Sequence, residues 1–148
     1  KIKMKILIMG LPGSGKTTLA SKLTPILKAK WLNADVVRKT DQHFDFSKSG
    51  RIKQAERMKQ LADRKVNEGH IVVADFICPT VETRRIFNAD FTIWLDTIEA
   101  SDFEDTNEMF EKPIVANGDD ADIIIKEKNA EGWVDTIVST LNTIGNNA

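Results

Sequence analysis

Short apolar runs alternate with longer amphipathic stretches along this chain. Residues 2–9 gather Ile, Leu and Met after alternating lysines and predict a buried strand. Residues 16–28 place Leu19, Leu23 and Ile26/Leu27 on one helical face, with Pro25 expected to end that helix early. Trp31-Leu32-Asn33-Ala34 predicts a second strand, and residues 41–49 are loop-like. Over 50–68, Ala55, Met58, Leu61/Ala62 and Val66 form the apolar stripe of a long helix, which Gly69 is placed to end. Residues 71–76 are a continuous apolar run closed by an acid, the pattern of a parallel strand covered on both faces. Pro79 fits the start of a helix running to Asn88. Residues 91–96 and 122–125 predict a fourth and a fifth strand, and the polar, acidic segment 97–117 between them predicts a lid or mixed loop. Residues 131–144 predict a closing helix, and 145–148 a frayed tail.

This alternation implies right-handed βαβ units: an α/β fold with a five-stranded parallel sheet and helices on both faces, in one domain over 1–148. In such sheets ligands sit at the carboxyl ends of the strands. The run Gly10-Leu11-Pro12-Gly13-Ser14-Gly15-Lys16-Thr17-Thr18 stands at the first of those ends and fills every fixed position of G-x-x-x-x-G-K-[ST]. Its glycines let successive N–H groups turn inward around an anion, and the following helix adds its positive end. Lys16 is expected to reach the β- and γ-phosphates, and Thr17 to ligate Mg²⁺. A turn that merely caps a helix needs neither a Lys nor a hydroxyl in register.

Composition narrows the partners. The net charge of −1 over 148 residues creates no global field that favours nucleic acid or an anionic membrane. No apolar run approaches a membrane span, and residues 1–10 are too short and polar for a signal peptide. A single cysteine, Cys78, makes an intramolecular disulfide impossible and suits a reducing cytosol, so a cytoplasmic location is expected.

Three acids leave strand ends: Asp35, Asp75 and Asp96. Asp75 has the look of the acid that orients Mg²⁺ or its water, although an ordinary polar strand end is about as common. Asp35, followed by Arg38, can accept a hydroxyl proton or hold Mg²⁺ while the Arg grips an anion; the alternative is a helix N-cap with a solvated Arg. Asp96-Thr97 is expected to cap or turn the chain. Arg51 and Gln54 share a helical face that can look into the site. Lys53, Arg57, Lys59, Arg64 and Lys65 are expected to form a solvated basic surface. Phe44 and Phe46 lie in a polar loop, where a ring either stacks on a base or joins a small loop cluster. His43 and His70 lack metal-ligand spacing and are expected to be exposed. Of Arg84 and Arg85, one is expected to reach nucleotide and the other solvent.

Together these residues resemble adenylylsulfate kinase, which phosphorylates the 3′-hydroxyl of adenosine 5′-phosphosulfate (APS) with ATP. The resemblance runs through the P-loop, Asp35 with Arg38, Phe46-Ser47 with Arg51, and Phe76-Ile77-Cys78-Pro79 with Arg84. It implies a three-layer P-loop kinase fold, ATP and Mg²⁺ as cofactors, a nucleotide-like acceptor, no membrane, and room for a homodimer. Asp35 and Lys16 would be catalytic, with Thr17, Asp35 and Asp75 at the metal. Arg38 and Arg51 would hold the sulfate–phosphate end and Phe46 would stack on the acceptor adenine, with Gln54, Phe76 and Ile77 completing the acceptor side. The chain departs from the family at Gly50, Gln54, Glu56 and Cys78, and its lid segment 103–110 contains no Arg. Lid arginines commonly stabilise the transferring phosphoryl group. Two other functions fit the same P-loop: a kinase acting on a polynucleotide end or modified base, favoured by the basic helix, and a nucleotide-binding domain without turnover, favoured by the Arg-free lid.

Overall fold

The computed structural model of the chain describes residues 3–42, 44–114 and 121–147. His43, Ile2 of the expected first strand and 115–117 of the expected lid lie outside the described residues. The elements are β1 (Lys5–Met9), α1 (Lys16–Leu27), β2 (Lys30–Asn33), α2 (Ala34–Asp41), α3 (Lys48–Asn67), β3 (Val72–Asp75), α4 (Val81–Phe87), β4 (Phe91–Leu95), α5 (Glu104–Met109), β5 (Ile123–Ile125) and α6 (Ala130–Asn147). The strands form one parallel five-stranded sheet in the order β2-β3-β1-β4-β5.

Period-two alternation explains why β1 is apolar throughout. Leu7 and Met9 pack on one face with Ala55, Met58 and Ala62 of α3 and Phe87 of α4. Ile6 and Ile8 pack on the other with Leu19 and Leu23 of α1 and Val134, Ile137 and Leu141 of α6. Both faces are covered, which is what a continuous apolar strand requires. Lys5 is the exception: its buried ammonium pairs with Asp63 of α3 at 2.7 Å and lies 4.9 Å from the Phe87 ring centroid.

Several local expectations change. Pro25 sits inside α1 without ending it; Lys28, in the left-handed region with φ +53°, closes the helix by donating its N–H to Pro25 and Thr24 carbonyls. Residues 34–41 form α2, a helix missed in the sequence, and the strand expected over 31–34 is Lys30–Asn33. The cap of α2 is Asn33, whose Oδ1 accepts from the Val36 N–H at 3.1 Å, and not Asp35. Ser47 starts α3 two residues ahead of expectation, accepting from the Gly50 N–H. Thr80 caps α4 in a reciprocal box with Thr83, so Pro79 precedes the cap instead of opening the helix. Arg57 and Lys59 are tied by ion pairs to Asp41 at 2.6 Å and Asp63 at 2.7 Å, so the α3 cations are not a uniformly solvated surface. His70 is half-buried.

Candidate active site

The P-loop connects β1 to α1. A Cβ on Gly10 would stand 2.6 Å from Ser14 Oγ and 2.8 Å from the Leu95 carbonyl oxygen, so only glycine lets the loop pass β4 here. Gly15, at φ +104°, caps α1 and leaves the first N–H groups of that helix without a side-chain partner. Lys16 curls back so that its Nζ donates to the Leu11 carbonyl at 3.0 Å, while Thr17 and Thr18 are exposed on the first turn. Thr97 Oγ1 donates to the Ser14 carbonyl at 2.7 Å and braces the loop from the end of β4, a role its sequence context did not signal. Its neighbour Asp96 pairs with Lys126 at 2.9 Å. A cavity of about 110 Å³ adjoins the loop, lined by Gly15, Thr18, Leu95, Thr97, Asn129 and Trp133.

Asp75, Asp35 and Arg51 converge electrostatically on Lys16. Burial lowers the Lys16 ammonium to a pKa of about 8; Asp75 and Asp35 oppose that shift and Arg51 adds to it. Asp75 is buried at the end of β3, directly across from Asn33 in register. Its two oxygens accept from Trp31 Nε1 at 2.7 Å and Asn33 Nδ2 at 2.9 Å. Burial raises its pKa, and those two hydrogen bonds counter the rise. Asn33 therefore ties Asp75 to α2, which carries exposed Asp35 in its first turn and buried Arg38 in its last.

Arg38 and Arg51 flank the Phe46 ring, with guanidinium carbons 4.6 and 5.1 Å from its centroid. Both arginines are more than nine-tenths buried, whereas Phe46 is 52% exposed. Nη1 of Arg38 and Nε of Arg51 have no hydrogen-bond partner among the described residues. Burial lowers the Arg38 pKa, and burial together with the charge of Arg38 lowers that of Arg51 to about 10. Two buried like charges beside one another are chemically suited to an anion.

The remaining expected acceptor residues are placed differently. Gln54 is buried, but its Nε2 donates to the Ala34 carbonyl at 3.3 Å and its Oε1 accepts from Arg57 at 3.2 Å, joining α3 to α2. Phe76 belongs to the core, edge-on to Phe87 at 5.3 Å, and Ile77 is half-buried beside it. Arg84 is buried, donating to the Cys78 carbonyl at 2.8 Å and the Glu111 carbonyl at 2.5 Å, and Arg85 is exposed. Arg84 staples the 76–79 turn to the segment after α5. Phe44 is exposed.

Residues 3–113 match the family model of adenylylsulphate kinase. The chain belongs to the adenylylsulphate kinase family. A probable adenylyl-sulfate kinase of Aeropyrum pernix is 31% identical over 85 residues, a match covering 53% of this chain and 46% of that protein. The chain thus matches about half of the length of that relative. An APS kinase of Mycobacterium tuberculosis shares the fold with a TM-score of 0.75 at 20% identity, over 96% of this chain and 99% of the other. A sugar kinase of Janibacter (TM-score 0.75, 13% identity, 95% of each chain) and a shikimate kinase of Aquifex aeolicus (TM-score 0.67, 20% identity, 96% and 98%) share it too. The adenylylsulphate kinase match spans β1 to α5 and so includes the P-loop, Asp35, the Arg38–Phe46–Arg51 group and Asp75. No helix among the described residues is long and apolar enough to cross a membrane.

Proposed function

We propose that this chain is an ATP- and Mg²⁺-dependent kinase that transfers the γ-phosphoryl group of ATP to the 3′-hydroxyl of APS. The observation that carries the reading is the buried Arg38–Arg51 pair, whose guanidinium carbons lie 4.6 and 5.1 Å from the centroid of the exposed Phe46 ring. That arrangement suits a ligand with an anionic end and a flat base, which is the chemistry of a nucleotide acceptor. A solved Mycobacterium tuberculosis APS kinase of the same fold, at TM-score 0.73, is in complex with AMPPNP and APS, which supports the same pairing of ligands.

On this reading the loop 10–18 cradles the phosphates of ATP, and Lys16 exchanges the Leu11 carbonyl for phosphate oxygens. The Thr17 hydroxyl and the carboxylates of Asp35 and Asp75 are hard oxygen donors, and such a set fits Mg²⁺, which takes one or two carboxylates together with phosphates and water. Held by these residues, Mg²⁺ would supply positive charge to offset that of the phosphates. Asp35, exposed at the first turn of α2, accepts the proton of the attacking hydroxyl. Arg38 and Arg51 hold the phosphosulfate end and Phe46 stacks on the adenine, so the two substrates meet in line. Catalysis then comes from positioning and charge stabilisation without a covalent intermediate. The test is phosphate transfer from labelled ATP·Mg²⁺ to APS, nucleosides and oligonucleotides in parallel. Label at the 3′ position of APS, with a thermal shift on adding APS, is expected. Transfer to oligonucleotides alone, or to no acceptor, overturns the proposal.

A further inference from the structure

Arg51 has one partner that the function above does not use. Its Nη2 donates to Thr106 Oγ1 at 2.9 Å, and both side chains are buried. Thr106 belongs to α5, inside the segment that the sequence marks as a lid. That helix is tied down at both ends. At its start, the Asn107 amide exchanges hydrogen bonds with Ser101 at 2.7 to 2.9 Å. Beyond its end, Phe110 stacks on Trp94 at 6.3 Å, and the Glu111 N–H donates to the Pro79 carbonyl. Arg84 then holds the Glu111 carbonyl. The Thr106 hydroxyl is therefore an acceptor on a helix held by contacts at both of its ends.

We propose that Thr106 is a positioning residue that fixes the Arg51 guanidinium for the anionic end of the acceptor, a reading that rests on the acceptor site proposed above. An arginine head has many rotamers, and burial beside the like charge of Arg38 does not favour this one. A neutral hydroxyl accepts one hydrogen bond from Arg51 without neutralising it. The guanidinium keeps its full charge for the ligand. A carboxylate at position 106 would hold the arginine equally well but would cancel the charge that the acceptor needs.

The experiment compares Thr106→Val, which keeps the shape and removes the hydroxyl, with Thr106→Ser. A hydrogen bond to a charged group corresponds to roughly a tenfold factor in an equilibrium constant. Thr106→Val should raise the APS KM about tenfold and weaken APS binding by titration calorimetry equally. The ATP KM and kcat should stay within about twofold of the wild type, and Thr106→Ser should restore the APS values. In an Arg51→Lys background, Thr106→Val should add nothing, because the two residues act as one unit. Thr106→Ala is the second variant should valine fail to fold. An unchanged APS KM in folded Thr106→Val or Thr106→Ala protein overturns the proposal, as does a full additional effect in the Arg51→Lys background. Wild-type protein that neither binds nor phosphorylates APS overturns the function itself, and this role of Thr106 with it.

Discussion

Asn33→Asp exchanges one NH₂ for an oxygen and probes the junction between α2 and β3. Asn33 donates to Asp75 Oδ1 at 2.9 Å and caps α2 through its other atom. Aspartate caps helices as well as asparagine does, so the cap survives. What changes is that a second carboxylate faces Asp75. With charge centres about 4 Å apart and an effective dielectric of about 20, the repulsion is about 4 kcal/mol. Protonation of one partner offers an escape, at about 1.4 kcal/mol for each pH unit above an unfolded carboxyl pKa of about 3.9, or about 4 kcal/mol at pH 7. The two routes agree. Burial already raises the Asp75 pKa, so the pair holds its shared proton well above the unfolded value. The folded state then binds more protons than the unfolded one, and the penalty grows as pH rises above about 4. Urea unfolding should show a loss of about 1.5 kcal/mol at pH 5 and about 4 kcal/mol at pH 7. Equal losses at the two pH values, or a loss below about 1 kcal/mol at pH 7, would refute the reasoning.

Lys16, with its pKa lowered to about 8, binds fewer protons folded than unfolded between pH 8 and the ordinary lysine value of 10.5. The nucleotide-free protein should therefore gain thermal stability as pH rises through that window, and calorimetry of Lys16→Met should show no such gain. Arg84→Met removes the charged donor from the Cys78 carbonyl, a buried bond, and from the Glu111 carbonyl, a part-buried one, and should cost about 3 kcal/mol, lowering Tm by about 10 °C. Asp63→Asn strands the buried Lys5 ammonium; the loss should be about 2 kcal/mol, below that of a fully buried pair because the Asp63 side chain is 37% exposed. The depressed Asp63 pKa also makes wild-type stability fall as pH drops through the acid range, and denaturant titrations of the variant should show a flatter acid limb.

Much of the site was legible because its signals are local. The P-loop glycines, Lys16 and Thr17 stand at fixed spacing, and Arg38, Phe46 and Arg51 fall within fourteen consecutive positions, 38–51. What escaped was α2, because Asn33-Ala34 continued the preceding strand pattern and the eight-residue helix has too few apolar positions to announce itself. Phe76 packs edge-on against Phe87, a contact across the fold that an aromatic following a strand does not announce in the sequence. Thr106, Trp31 and Thr97 carried no signal of their own. Their bonds reach across 55, 44 and 83 positions of sequence.

The sequence by itself determined the alternation of strands and helices, the phosphate-binding loop and the family. These depend on short-range physics: the two-residue and 3.6-residue periods of side-chain direction, and the backbone angles that only glycine adopts freely. Tertiary structure alone decided the strand order that sets Asn33 opposite Asp75, the burial that lowers the Lys16 and Arg51 pKa values, and the unused nitrogens of Arg38 and Arg51. A buried polar group takes whichever partner the packing of distant elements brings within about 3 Å, and its charge state follows from how much water that packing removes.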